Sequence, residues 1–143
     1  MIEIVRFSYS NKKLVEISMN IRQEVFVKEQ HVDTTLEYDG QDSKATHYIL
    51  YFNKIPIGTA RWRLTSKGIK LERFAILQDY RNKGIGKNLL EKVLTDVISE
   101  NQVLYLHAQE KAVSYYQRAG FAIVGNIFIE AGINHYKMVF VNK

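Results

Sequence analysis

The spacing of apolar residues divides the chain into alternating strand and helix segments. Apolar residues recur with the period of a helix over residues 11–28, from residue 85 to about residue 99, and over 109–119. Short apolar runs bounded by turn residues predict strands at 3–7, 46–52, 56–64, 69–77, 103–107, 121–125 and 134–141. The order β-α-β-β-β-α-β-α-β-β predicts an α/β protein with a mixed sheet, in which the second to fourth strands form a meander.

Residues 29–42 have no period of their own and are polar and acidic. They are predicted to form a loop, with room for a helical turn. Loops of this length in small domains are often functional. An acidic run of this kind is more often a solvated surface than a binding site, and that is the interpretation adopted for most of its carboxylates.

The length of 143 residues predicts one domain spanning 1–143, able to bury roughly 70% of the surface of its unfolded chain. The sequence contains no cysteine, which excludes a disulfide framework and cysteine metal ligands, and fits a reducing compartment. His31, His47 and His107 have no mutual spacing typical of a metal site, so no metal is predicted. The first residues do not resemble a signal peptide, and no apolar run approaches the ~20 residues of a membrane span. A cytoplasmic protein without a membrane partner is therefore expected.

The net charge of +5 could indicate nucleic acid, but the basic residues are dispersed. No basic face interleaved with aromatic residues is present, so no nucleic-acid partner is predicted. The local basic cluster at 81–87 is explained equally well by a polyanionic ligand.

The segment 71–97 contains the clearest candidate for a ligand site. An apolar strand is followed by a loop with Gly84 and Gly86, and then by an amphipathic helix. Glycines allow the backbone to approach an anion closely, and the first N–H groups of the helix point at it. The spacing matches neither a mononucleotide P-loop nor a dinucleotide-binding turn. Taken alone, such a hexapeptide is as readily a plain turn as a ligand site.

Arg81, Gly84 and Gly86 are spaced as in the motif R/Q-x-x-G-x-G/A, and this loop resembles the pyrophosphate loop of the GNAT acyltransferase superfamily. A second segment, 107–121, is similar to the family motif N-x-x-A-x-x-F-Y-x-x-x-G-F, with Tyr116 at the tyrosine position. Gln109 replaces the usual Asn, and Tyr115 replaces the usual Phe. Segments at 21–30, 36–47, 106–109 and 125–138 are similar to the small bacterial ElaA-like branch, although Asn134 stands where that branch usually has Pro.

The resemblance covers essentially the whole chain, and it implies the GNAT fold. We expect a mixed, mostly antiparallel sheet of about seven strands, flanked by about four helices and splayed between strands 4 and 5. It also implies acetyl-coenzyme A as the acyl donor. The pantetheine arm would bind backbone groups near Ala75, Ile76 and Leu77, with the Ile76 N–H facing the thioester oxygen. The remaining cofactor-binding residues that the resemblance implies are Arg81, Asn82, Lys83, Gly84, Ile85, Gly86, Lys87, Gln109 and Tyr116.

Three residues are candidates for proton transfer. The resemblance implies that Tyr116 is the general acid for the leaving thiolate, the alternative being an aromatic core residue. Glu72 is a candidate base, and a salt bridge with Arg61 or Arg63 on the neighbouring strand is an equally good interpretation. Strand alternation would put Glu72 on the same face as Phe74. His135 is a candidate because histidine transfers protons near neutral pH, although a structural histidine is equally compatible.

The acceptor side is expected to be lined by Glu29, Glu37, Glu130 and His135, on the resemblance and on their positions in this fold. The implied function is acetyl-CoA-dependent transfer of an acetyl group directly to a primary amine of a small molecule. A non-catalytic acyl-CoA sensor and an acyl-homoserine-lactone synthase-like enzyme are the alternatives. The sequence leaves open which amine is the acceptor and whether the protein is a monomer or a homodimer.

Overall fold

The structure is a computed structural model that describes residues 1–141. Its strands are β1 (Ile2–Ser8), β2 (Thr46–Phe52), β3 (Ile55–Thr65), β4 (Gly68–Ile76), β5 (Leu104–Gln109), β6 (Phe121–Glu130) and β7 (Ile133–Phe140). Its α-helices are α1 (Lys12–Arg22), α2 (Thr34–Glu37), α3 (Ile85–Val97) and α4 (Val113–Arg118). A π-helical segment, Gln23–Glu29, continues α1, and short 3-10 turns flank α2, α3 and α4. The predicted order of strands and main helices is confirmed.

The strands form a seven-stranded sheet in the order β1-β2-β3-β4-β5-β7-β6. All neighbouring pairs are antiparallel except β4 and β5. The larger core lies between the sheet and α3, where Leu89, Leu90 and Val93 are at most 2% exposed. The opposite face packs against α1 through a second group that includes Val15 and Ile49. The predicted mixed, mostly antiparallel sheet of about seven strands is confirmed.

The sheet opens between β4 and β5. Their recorded register consists of Ile69 opposite Leu104 and Lys70 opposite Tyr105. Both strands continue beyond these pairs, to Ile76 and Gln109, without pairing to each other. Because the two strands run parallel, the gap between them is open at their carboxyl ends. The predicted splay is therefore present.

A β-bulge interrupts β4 at the level of this gap. Thr59 pairs with Ala75 and Arg61 pairs with Glu72, so Arg73 and Phe74 together face the single residue Ala60. Arg73 has a φ of 59°, in the left-handed region. The extra residue reverses the alternation of side chains. The prediction that Glu72 and Phe74 share a face is wrong, because Phe74 packs toward the α3 side.

Beyond the bulge, Ala75 packs against Ile21 and Val25 on the α1 side of the sheet. Two segments differ in extent from their predictions. β6 runs five residues beyond the predicted end at residue 125, through an irregularity between Val124 and Phe128. The predicted helix over 109–119 begins as a 3-10 turn and is α-helical only over Val113–Arg118.

Candidate active site

Ala75, Ile76 and Leu77, at the end of β4, were expected to bind the donor through their backbone. Only Ile76 directs its backbone groups into the gap. The Leu77 N–H donates to the Ile57 carbonyl at 2.9 Å, so Leu77 faces β3. In an antiparallel ladder alternate residues face opposite neighbours, so Ala75 also faces β3 and Ile76 faces away from it. Phe74, two residues earlier, shares the direction of Ile76. Sequence reasoning missed Phe74, since its orientation depends on the bulge.

The loop before α3 has the geometry of an anion site. Asn82 and Gly84 have φ angles of 62° and 76°, which turn the chain tightly into the helix. A Cβ built on Gly84 would meet nothing within 4 Å, so the space in front of the helix is open. Ile85, 5% exposed, anchors the first turn in the core. No side chain caps the helix and no acidic residue lies in its first turn, so the positive end of its dipole is left uncompensated.

The cations of this loop differ in their surroundings. Lys83 and Lys87 are solvent-exposed or nearly so, and the Lys87 Nζ is 3.9 Å from a Glu91 carboxylate oxygen. The guanidinium group of Arg81 is engaged on two sides. Its Nε donates to the Ile76 carbonyl at 2.8 Å, and its Nη2 donates to Glu29 Oε1 at 2.6 Å. Glu29, expected on the acceptor side, therefore contacts the predicted cofactor loop instead, and its hydrogen bond with Arg81 lowers the pKa of Glu29.

Tyr116 lies on α4 with its ring packed into the core. The ring makes edge contacts with Tyr115 and Phe121, at centroid distances of 5.2 and 5.9 Å. Within residues 1–141 the hydroxyl has no hydrogen-bond partner, yet it is not among the buried, unsatisfied atoms. It therefore retains contact with solvent. Burial of the residue raises the pKa of Tyr116, with a further contribution from Tyr115, so the phenol stays protonated near neutral pH.

Glu72, the candidate base on β4, is surrounded by cations. Its carboxylate lies 3.0 Å from the Arg61 Nη2 and 3.5 Å from the Lys70 Nζ, and it also accepts from Arg63. Burial alone would raise the pKa of Glu72, but these cations outweigh it and hold the pKa below its usual value. The salt-bridge interpretation of Glu72 is thus observed. A carboxylate held in this way is a weak proton acceptor.

Glu72 belongs to a larger buried ion network on the α1 side of the sheet. Asp42 bridges the two fully buried guanidinium groups, 2.6 Å from the Arg22 Nη1 and 2.7 Å from the Arg61 Nη1. Glu37 contacts Arg22 and also Arg73, whose Nε is 2.9 Å from it. Glu37 is 2% exposed, so it presents no free carboxylate to an acceptor. The solvated interpretation is wrong for Asp42, which is 7% exposed.

A cluster of aromatic and acid-base side chains lies on the β5-β7-β6 part of the sheet. Phe128 on β6 contacts both His107, edge-on at 5.0 Å, and His135, stacked at 5.9 Å. The His135 Nδ1 donates to the Ile133 carbonyl at 2.7 Å. The His107 Nδ1 lies 2.9 Å from Glu130 Oε1, and this contact lowers the pKa of Glu130. Glu130 and His135 were expected on the acceptor side, whereas His107 had been given no role.

A cavity of about 500 Å³ adjoins the open end of the gap. Its lining is largely polar and comes from the end of the π-helical segment, from the β5–α4 junction and from the β6–β7 turn. The lining residues are Glu29, Gln30, Gln109, Glu110, Lys111, Gly132, Ile133 and Asn134. Gln109, expected to bind the cofactor, donates to Gln30 at 2.8 Å across this opening.

Residues 1–141 lack two kinds of feature. No three His, Cys, Asp or Glu side chains are grouped in a way that could hold a metal ion. No helix in the same range is long and apolar enough to cross a bilayer.

Residues 6–141 match the family described as acetyltransferase (GNAT) domain. The chain is 33% identical over 133 residues to YjcF of Bacillus subtilis, described as an uncharacterized N-acetyltransferase, covering 90% of this chain and 94% of YjcF. Among solved structures it resembles an acyl-CoA N-acyltransferase from Pseudomonas aeruginosa, with a TM-score of 0.89, 23% identity and coverage of 99% and 100%. It also resembles Escherichia coli ElaA, with a TM-score of 0.87, 24% identity and coverage of 96% and 98%. The chain therefore belongs to the GNAT acetyltransferase family.

Proposed function

We propose that this protein is a single-domain, acetyl-CoA-dependent N-acetyltransferase that transfers an acetyl group directly to a primary amine of a small molecule. The observation that carries the proposal is the gap between β4 and β5, which lies beside the uncapped start of α3 and into which the Ile76 backbone is directed. An elongated ligand that carries a diphosphate at one end and amide groups along its length complements these two features. Family membership supports the same donor.

The residues present fit such a donor. Open space beside Gly84 leaves room for a diphosphate oxygen to approach the backbone N–H groups of 83–87, with Arg81, Lys83 and Lys87 supplying charge. The Ile76 N–H and the backbone groups of Phe74 are directed at the gap, where amide groups of a pantetheine arm could bond to them as an added strand does, while the Ile76 carbonyl accepts from Arg81. Gln109 closes the far side of the same opening.

Acetyl-CoA supplies the acetyl group as an activated thioester. One backbone N–H on β4, with Ile76 as our assignment, would stabilise the oxygen that gains negative charge, and such a donor is worth roughly 3 kcal/mol in the barrier. Tyr116 would protonate the departing thiolate, since its hydroxyl stays protonated and has no hydrogen-bond partner within residues 1–141. The sequence has no cysteine to carry an acyl group, so direct attack by the amine is the simplest course.

A screen of primary amines for thiol release from acetyl-CoA tests this function. The panel should include polyamines, amino sugars and a lysine-containing peptide. We expect turnover with at least one small amine. Replacing Tyr116 by Phe should then lower kcat by about 10²-fold or more, while calorimetry shows unchanged coenzyme A binding. A protein that binds coenzyme A but releases no thiol with any amine would instead be a non-catalytic sensor.

A further inference from the structure

We propose that His107 is the general base of this site and that Glu130 positions it. The inference rests on the proposed acyl transfer and assigns its proton acceptor. An amine attacks the thioester carbon only in its neutral form, whereas a primary ammonium group has a pKa of about 10. A base near the gap must therefore remove a proton. None of the residues assigned above to the donor can accept this proton, because they contribute only backbone groups, positively charged side chains or a protonated phenol.

The sheet register places His107 at the start of the gap. Tyr105 is the last residue of β5 that pairs with β4, and His107 follows two residues later. Leu106 and Ala108 pack into the core on the α3 side, so alternation puts the His107 side chain on the opposite face. Continued parallel pairing would have set His107 beside Glu72, immediately before the bulge of β4. The imidazole therefore lies on the face of the sheet opposite α3, where the two strands separate.

The surroundings of the ring leave one nitrogen free. The Nδ1 is bound to Glu130, and the ring is held between the edge contact with Phe128 and the tilted ring of Tyr105, at 6.1 Å. Within residues 1–141 the Nε2 has no hydrogen-bond partner, and it is not among the buried, unsatisfied atoms. A carboxylate on Nδ1 fixes the tautomer with the lone pair on Nε2 and stabilises the imidazolium that forms on protonation.

The two other candidate bases are less suited to this step. Glu72 is held by three cations, as described above. His135 also has a bonded Nδ1, but it is only 6% exposed and its partner is a neutral carbonyl, which gives the imidazolium less support than a carboxylate does. In the proposed step, a proton of the acceptor ammonium passes to the His107 Nε2. The amine nitrogen then bonds to the acetyl carbon, the carbon–sulfur bond breaks, and the thiolate takes the Tyr116 proton. The second proton that the nitrogen loses as the amide forms restores the Tyr116 phenol.

The test uses the full chain, acetyl-CoA, and whichever amine of the panel gives the fastest thiol release. His107→Gln should lower kcat/KM by roughly 10²-fold or more at neutral pH. Its affinity for coenzyme A and its thermal midpoint should stay near those of the wild type. The acidic limb of the wild-type pH–rate profile should disappear. His31→Asn is the matched control, because His31 is exposed with a φ of 61°, which asparagine tolerates.

Glu130→Gln tests the positioning role. It should lower kcat/KM and remove the preference for the Nδ1–H tautomer of His107, because the ring loses the carboxylate that fixes it, and should leave coenzyme A binding unchanged. Other charged or titratable groups around the pair are Lys70, His135, Lys137 and Tyr105. Nitrogen-15 NMR of the histidines provides a readout without turnover, and His107 should be the Nδ1–H tautomer in the wild type.

The outcomes separate the two proposals. If the wild type releases no thiol with any amine, the proposed function fails and this inference fails with it. If the wild type is active but His107→Gln stays within threefold of it, His107 is not the base. Loss of the acidic limb in His135→Gln rather than in His107→Gln would assign the role to His135. An Nε2–H tautomer at His107 would also overturn the inference.

Discussion

Alanine at Gly84 should weaken coenzyme A binding far more than it weakens the fold. Gly84 and Gly125 have φ angles of 76° and 86°, and a Cβ at either would meet nothing within 4 Å. A side chain in this backbone conformation costs roughly 1–2 kcal/mol. With no atom to collide with, neither substitution adds a steric cost. Both variants should therefore lose a similar, small amount of unfolding free energy.

The two positions differ in what lies in front of them. The Cβ at Gly84 would stand at the open N-terminus of α3, where the diphosphate is proposed to bind, whereas Gly125 lies in the irregular part of β6. A hydrogen bond to a charged group contributes about 1.5–3 kcal/mol. Since about 1.4 kcal/mol is a factor of ten, losing one or two such bonds should weaken coenzyme A roughly ten- to more than a hundredfold.

Calorimetric titration with coenzyme A, paired with thermal unfolding of each variant, measures both effects. The expected result is equal loss of thermal stability in Gly84→Ala and Gly125→Ala, with weak binding in the first alone. Wild-type affinity in Gly84→Ala would refute the assignment of this loop to the diphosphate. Equal loss of affinity in the two variants would show that binding responds to stability in general.

Two further predictions concern the charged contacts. Glu29→Gln should release Arg81 and tighten coenzyme A binding two- to fivefold, as a partly exposed ion pair contributes about 0.2–1 kcal/mol. Glu24→Gln, which removes the pair with Lys28, is the control, and weaker binding in Glu29→Gln would contradict the reasoning. The protein should also be labile to acid. Burial alone would raise the pKa of Asp39, but Arg61 and the Gln41 N–H lower it to about 2. Because this folded-state value lies below the unfolded value near 3.9, its stabilising contribution is present above about pH 5 and is lost on acidification toward pH 2. The urea midpoint should fall over that range, less steeply in Asp39→Asn.

The parts of the fold that follow from local sequence were predictable. The apolar periods fixed the order of strands and helices, and the glycine loop could be located because its signal lies within one short segment. The β4 bulge could not be found in this way. It depends on how Arg73 and Phe74 pair with Ala60, and no glycine or proline marks the site. The alternation assumed for Glu72 and Phe74 therefore failed at the point where β4 meets the gap.

The buried ion network could not be predicted from the sequence for a different reason. Arg22, Asp42 and Arg61 come from a helix, a loop turn and a strand, so their charges are separated along the chain by about 20 residues. The neighbouring sequence alone does not distinguish Asp42 from the other carboxylates of the acidic loop. Only the folded arrangement brings it between two guanidinium groups with almost no exposure. The segments similar to the ElaA-like branch contain Arg22 and Asp42, and this contact gives those similarities a structural reason.

Glu29 and Gln30 connect the two sides of the gap. They are consecutive residues at the end of the segment that continues α1, yet Glu29 binds Arg81 beyond β4 and Gln30 binds Gln109 at the end of β5. Both contacts lie at the carboxyl ends of the two strands, where the gap is open. An elongated ligand that enters there must either pass beside the Glu29–Arg81 and Gln30–Gln109 contacts or break them. The segment also lines the cavity of about 500 Å³ beside the gap, which we propose as the place of the acceptor amine, so movement of Glu29 away from Arg81 would reshape that cavity. Binding of donor and acceptor should therefore be coupled through these two residues.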